Sequence, residues 1–282
     1  MRSMRKIFAA MRVLLPMALL LSGIGYAGYV YMGYAKGQVE YKSLKEDFTR
    51  PKTTQEADDA APDANAETDE KQESKMADKT IWKPLVNELP SDAPDRLTVD
   101  WEQLHKKNDD LVGWIMVPAV DISYPVVQGD DNEYYLHRDI SREYLFAGSI
   151  FMDAYNTPSF YNYNTIIYGH NMRDGSMFAR LKDLSDPDTI KGCRYFWIFT
   201  SESDLLYEIC SIHGAVAGSE TFTLRFADYE TYNEWQDKML SLSDPPTGAT
   251  LEYQDRIVTL STCTENTSVR MTVQGKLIWK TS

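Results

Sequence analysis

From Trp114 onward the chain is written in short β-prone runs, and few folds accept so many in series. Runs at 114–117, 122–127, 149–152 and 165–168 are separated by clusters of Gly, Pro, Asn and Asp. Runs at 195–200 and 206–217 flank the polar residues 201–204 and read as a hairpin. Many short strands in sequence predict a barrel or sandwich. Two stretches break the series. Val99-Asp100-Trp101-Glu102-Gln103-Leu104-His105 opens a short helix that ends before Gly113. Residues 228–241 predict a second helix, with Asp228 as N-cap and Tyr229, Tyr232, Trp235, Met239 and Leu240 as a rough apolar face. Residues 80–282 are enough for one domain with a full core. There is no internal repeat.

The last two runs carry the most chemistry. Arg256-Ile257-Val258-Thr259-Leu260 leads to Cys263, and Val269-Arg270-Met271-Thr272-Val273 follows a polar, turn-like stretch at 264–268. The pair reads as a hairpin. With the turn centred between Asn266 and Thr267, Cys263 and Arg270 are directly opposed, their Cβ atoms about 5 Å apart on one face. A guanidinium there favours thiolate and holds an oxyanion or a substrate carbonyl. The plainer reading of Arg270 is a surface cation paired with Glu265 or Glu252, worth only ~0–1 kcal/mol. His170 follows a strand run and Gly169, a place where a side chain is presented at a barrel rim; it is the candidate proton-transfer group. Cys193 and Cys210, on the two arms of the other hairpin, read as structural thiols, with a disulfide between them as the minority alternative. His105 is expected to be exposed, and His137 and His213 to be surface or strand-packing residues. No two His or Cys positions show zinc-ligand spacing, so neither a metal nor another cofactor is called for.

The N-terminus bears on location. Arg2, Arg5, Lys6 and Arg12 precede an uncharged run at 13–35, closed by Lys36. As a helix, that run spans roughly 34 Å, enough for a bilayer core. Basic residues before it and acidic ones after it predict a cytoplasmic N-terminus and an extracellular remainder. The rival is a cleaved signal peptide with an apolar core at 13–22; no clear small-x-small cleavage site follows it, and Tyr26, Tyr29, Tyr31 and Tyr34 suit an interfacial belt. Between residues 50 and 79 nine positions are Asp or Glu, and no aromatic occurs between Phe48 and Trp82. Such a segment cannot bury enough apolar surface to order itself. The expected division is a basic tail at 1–12, a transmembrane anchor at 13–35, an acidic extracellular linker at 36–79 and a catalytic domain at 80–282. A net charge of −13, without any basic stripe interleaved with aromatics, argues against nucleic-acid binding.

Several motifs carry a family resemblance. Thr259-Leu260-Ser261-Thr262-Cys263 with the trailing Arg270, and Ile166-Ile167-Tyr168-Gly169-His170-Asn171-Met172, resemble the catalytic strands of sortases, the cysteine transpeptidases of Gram-positive cell surfaces. The likeness begins at about Val99 and takes in Asn108-Asp109-Asp110-Leu111-Val112-Gly113-Trp114-Ile115, Tyr124-Pro125-Val126-Val127-Gln128 and Asp131-Asn132-Glu133-Tyr134-Tyr135-Leu136. It continues through Gly148-Ser149-Ile150-Phe151-Met152-Asp153 and Asp174-Gly175-Ser176-Met177-Phe178, and the helix placed before the cysteine strand matches the class B pattern. The resemblance implies a mainly β fold, a closed barrel of about eight strands with peripheral helices, behind a single N-terminal transmembrane helix. It implies that Cys263 attacks a sorting motif near the C-terminus of a secreted protein, cutting after Thr, with Arg270 and His170 as oxyanion cation and proton carrier. The thioacyl enzyme then passes its acyl group to an amine of a peptidoglycan precursor or, in pilus-building members, to a pilin lysine. A hydrolase releasing the acyl group to water and a non-catalytic tethered binding module are the competing classes.

Overall fold

The structure is a computed structural model that describes residues 2–52, 88–252, 255–263 and 268–281, apart from the side chains of 2–14, 16 and 263. The acidic stretch from residue 53 and the hairpin turn at 264–267 lie outside the described residues. Helix α1 (Arg2–Phe48) leads into β1 (Thr49–Pro51), which pairs antiparallel with β2 (Leu97–Val99). Because β2 takes up Val99, helix α2 begins later than expected, at Trp101–Lys107, with the Asp100 carboxylate accepting from Gln103 N at 3.1 Å. There follow β3 (Leu111–Val117), β4 (Ile122–Val127), β5 (Ile150–Met152), β6 (Asn164–His170) and helix α3 (Pro187–Gly192). The chain continues as β7 (Tyr195–Phe199), β8 (Asp204–Val216), helix α4 (Tyr229–Ser241), β9 (Ile257–Cys263) and β10 (Val269–Lys280).

Eight of these strands close a barrel in the order β10-β8-β7-β3-β4-β5-β6-β9, and β9 pairs β10 to complete the ring. Closure leaves no edge in the ring, the arrangement that so many short strands require. The pairs β4–β5 and β6–β9 are parallel; the other ring pairs are antiparallel. Trp114, Ile115, Val126, Ile150, Phe151, Ile167, Phe196, Ile198, Leu260 and Val273 belong to one buried cluster. Helix α4 covers the outside of the barrel, where Tyr232, Trp235 and Met239 pack with Cys210 and Ile257 in a second cluster. Its start is fixed reciprocally: Asp228 accepts from Thr231 N, and the Thr231 hydroxyl accepts from Asp228 N.

The N-terminal region departs from the expected division. Helix α1 does not give way to a linker at Lys36 but runs on to Phe48, and Tyr41 and Leu44 are buried in the main cluster. The reason is a helical stripe inside a polar-looking stretch: Tyr34, Gly37, Tyr41, Leu44 and Phe48 recur at intervals of three and four. Residues 36–51 are therefore packed structure. Among the described residues, no helix is long and apolar enough to cross a membrane.

Candidate functional site

The site is built where β6, β9 and β10 lie side by side. The parallel register of β6 and β9 pairs Tyr168 with Ser261, Gly169 with Thr262 and His170 with Cys263. The antiparallel register of β9 and β10 sets Thr259 opposite Gln274 and Ser261 opposite Thr272. The pairing ends there; Met271 N donates to Thr262 Oγ1 at 3.1 Å, and the same register continued by two residues would set position 270 opposite 263. This is the register that a turn centred between Asn266 and Thr267 implies. His170 and Cys263 are thus paired on neighbouring strands, and the continued β9–β10 register would bring Arg270 into the same row.

Strand alternation decides which face that row presents. Ile167 points into the core, whereas Tyr168 and His170 are half-buried on the outer face. Between them, Gly169 is pressed against the barrel filling: a Cβ there would lie 2.4 Å from Ile150 Cδ1 and 2.8 Å from Phe178. No larger residue would let β6 carry His170 at this depth. The Arg270 guanidinium carbon is 5.9 Å from the Tyr168 ring centroid, on the same outer face. Tyr168 in turn donates its hydroxyl to Asp153 Oδ2 at 3.0 Å, and Asn132 Nδ2 donates to the same oxygen at 2.9 Å.

The imidazole is oriented by the main chain. His170 Nε2 lies 2.7 Å from the carbonyl oxygen of Leu136, which only accepts, so Nε2 carries the proton. In the neutral ring, Nδ1 is then the basic nitrogen. The ring of His137 stacks on His170 with centroids 5.4 Å apart and planes 20° from parallel. Beside this row, the Ser261 hydroxyl is buried and has no hydrogen-bond partner among the described residues. A thiol, an imidazole and a guanidinium in one row are the parts of covalent acyl transfer.

The other candidates fall elsewhere. His213 is buried, with Nδ1 3.0 Å from Ser211 Oγ and Nε2 3.1 Å from Thr221 Oγ1. Burial pushes its pKa down to about 4, so it is neutral at pH 7. His105, expected to be exposed, is half-buried and donates Nε2–H to Leu111 O at 3.3 Å. Cys193 and Cys210 are free thiols. Cys210 is buried in the second cluster, donating to Gln274 O at 3.3 Å, and burial pushes its pKa up to about 12. Cys193 packs on the main cluster and donates to Tyr195 O at 3.5 Å. Of the residues suggested as an ion-pair partner for Arg270, Glu265 lies outside the described residues. Among the described residues, no group of three or more His, Cys, Asp or Glu could hold a metal.

Leu136 and Asp153 were not singled out by sequence reasoning, and His137 was read as a surface or strand-packing residue. Leu136 acts through its backbone carbonyl, which has no residue-type signature. Asp153 and Asn132 lie within or beside the quoted motifs, so their recurrence in the pattern was the available signal.

Several known proteins resemble this chain. The profile of the sortase domain matches residues 115–278. Sortase B of Listeria monocytogenes is 37% identical over 180 residues, covering 63% of this chain and 73% of that protein. Sortase B of Staphylococcus aureus is 31% identical over 193 residues, covering 67% of this chain and 79% of that protein. The solved Staphylococcus aureus sortase B–substrate complex superposes with a TM-score of 0.60 at 32% identity, covering 63% of this chain and 83% of the other.

Proposed function

The chain belongs to the sortase family, alongside its class B members, and is a cysteine transpeptidase of cell-wall sorting; on that premise we propose that Cys263 is its nucleophile, His170 its proton carrier and Arg270 its oxyanion cation. The observation that carries this reading is the shared row: His170 paired with Cys263, and position 270 opposite 263 in the continued register. The Cys263 thiol gives its proton to His170 Nδ1, and the resulting thiolate attacks the carbonyl carbon of the Thr in a sorting motif of a secreted protein. The developing oxyanion is held by the Arg270 guanidinium and neighbouring backbone N–H groups. As the tetrahedral intermediate collapses, the C–N bond breaks and His170 Nδ1 protonates the departing amine, leaving a thioacyl enzyme and a neutral imidazole. An acceptor amine then attacks the thioester, His170 takes its proton, and the thiolate departs. The proposed acceptor is an amine of peptidoglycan.

The N-terminal helix is proposed to anchor the enzyme in the cell membrane, with residues 1–12 cytoplasmic and the barrel outside. The support is the uncharged run at 13–35 behind four basic residues. Leu15, Leu19, Leu20, Leu21 and Ile24 are exposed on α1, and Tyr26, Tyr29 and Tyr31 follow them at the outer end. The first residues of the run, Val13, Leu14 and Pro16, have side chains outside the described set.

The test pairs Cys263→Ala with product analysis. Wild-type enzyme, a sorting-motif peptide and a peptidoglycan-stem amine should yield the ligated peptide in excess over the hydrolysed one, and Cys263→Ala should yield neither. Hydrolysis that stays dominant at saturating amine would reduce the enzyme to a peptidase. Turnover by Cys263→Ala would remove the nucleophile assignment.

A further inference from the structure

The carbonyl that orients His170 is itself held in place. Gly148 lies so close to it that a Cβ there would stand 2.2 Å from Leu136 O and 2.9 Å from Tyr135 O, at a φ of +58° that only glycine adopts without strain. The Gly148 carbonyl accepts the Tyr41 hydroxyl at 2.5 Å, with Ser149 Oγ 3.2 Å from the same hydroxyl. Ser149 N donates to Tyr135 O at 3.0 Å and Ser149 Oγ to Arg138 O at 2.7 Å, so the segment is fastened on both sides of Leu136. The Tyr41 ring meets Tyr124 edge-on, centroids 5.3 Å apart. Tyr124 Oη accepts from Met177 N at 3.0 Å, and Met177 bridges Asn171 in the turn that follows His170. One buried side chain of α1 thus touches Gly148, beside the Leu136 carbonyl, and reaches the turn that follows His170 through Tyr124. Adjacent turns of the helix add Lys36 Nζ to Tyr144 O at 3.3 Å and Gln38 Nε2 to Asp174 Oδ2 at 3.0 Å.

We propose that Tyr41 is a positioning residue for His170, acting through Gly148 and the Leu136 carbonyl. The proposal rests on the reading of His170 as the proton carrier. A helix outside the barrel thereby sets the tautomer of an imidazole on it. Without the Tyr41 hydroxyl, Gly148 is free to shift, the Leu136 carbonyl moves with it, and the Nε2–H form of His170 is no longer enforced.

The experiment uses the full chain in detergent micelles and two readouts that need no sorting peptide. One is the rate of iodoacetamide alkylation at Cys263 across pH, read by peptide mass spectrometry. The other is the tautomer of the His170 ring, read from its nitrogen resonances. Wild type should show the Nε2–H form. Tyr41→Phe should show a mixture of tautomers and an alkylation rate at pH 7 lower by about fivefold, the size of one lost hydrogen bond. Tyr232→Phe removes a hydroxyl from Asp255 O and Tyr163 O, beyond the opposite end of β6, and should lower Tm without moving either readout. A wild-type tautomer and rate in Tyr41→Phe would overturn the proposal, as would equal changes in Tyr232→Phe, which would mark general destabilisation. His170→Gln separates the premise: if it leaves the alkylation profile unchanged, the proton-carrier reading itself fails, whatever Tyr41→Phe does.

Discussion

His170 donates its Nε2–H to the Leu136 carbonyl at 2.7 Å, and that one bond assigns the chemistry to the opposite nitrogen. On the proposed reading, proton transfer runs through Nδ1, beside the end of β9. A glutamine at 170 keeps a donor for Leu136 but offers no titrating group. His170→Gln should therefore fold normally and lose about 10²–10⁴ in kcat, the usual span of general acid–base catalysis. Steady-state kinetics on a cognate peptide, alongside a circular dichroism melt, check this. A kcat within tenfold of wild type would move the proton carrier elsewhere.

Arg270 is expected to act in the transition state. Its guanidinium carbon sits 5.9 Å from the Tyr168 ring centroid, on the face that carries His170, where the proposed mechanism puts the developing oxyanion. Arg270→Ala should lower kcat by at least ~100-fold with a smaller change in KM, as for loss of an oxyanion donor. Arg270→Lys keeps the charge without the planar fork and should rescue poorly. Arg256 serves as the control: it is at the other end of β9, over the Tyr163 ring at 4.3 Å, and Arg256→Ala should keep its kcat.

What could be read from sequence followed from periodicity and turn chemistry. The hairpin of β9 and β10 has the register implied by a turn centred between Asn266 and Thr267, because alternation leaves few registers that bury Leu260 and Val273 together. The helix at 228–241 was visible in its N-cap and apolar face, and α4 begins beside that same Asp228. Other features were not legible, for physical reasons. Leu136 contributes a backbone carbonyl, identical in every residue type. Tyr41 and Leu44 sit among Lys, Glu and Gln, so composition hid a stripe that only a helical projection reveals. His105 lies beside two lysines yet turns its ring toward Leu111, a contact set by where β3 starts.

His213 makes stability depend on pH. Its folded-state pKa is depressed to about 4 by burial, below the ordinary histidine value of 6.5. Between these values the unfolded chain binds more protons than the folded one, so stability falls as pH drops from about 6.5 towards 4 and is unaffected by this group above that window. The full contribution is up to about 3 kcal/mol. Urea unfolding at pH 7, 5.5 and 4.5 should show the decline, and His213→Gln should flatten it. An identical slope in that variant would mean that other groups carry the acid sensitivity.

The packing of α1 predicts where the chain tolerates shortening. A cut at Thr80 respects the composition boundary but removes Tyr41 and Leu44 from the core and β1 from its pairing with β2. Full burial of such side chains contributes about 1.5–3 kcal/mol each, and the lost strand adds to that. A protein beginning at Met32 keeps Tyr34, Gly37, Tyr41, Leu44 and Phe48 on the barrel while discarding most of the exposed apolar run. It should melt roughly 10 °C above one beginning at Thr80, at about 2–4 °C per kcal/mol for a domain of this size. If Tyr41 also holds the Leu136 carbonyl, the shorter protein should lose kcat beyond what its stability explains when both are assayed well below their melting points. Equal Tm and equal kcat in the two proteins would show that α1 contributes nothing to the barrel, and the stripe on its surface would need another explanation.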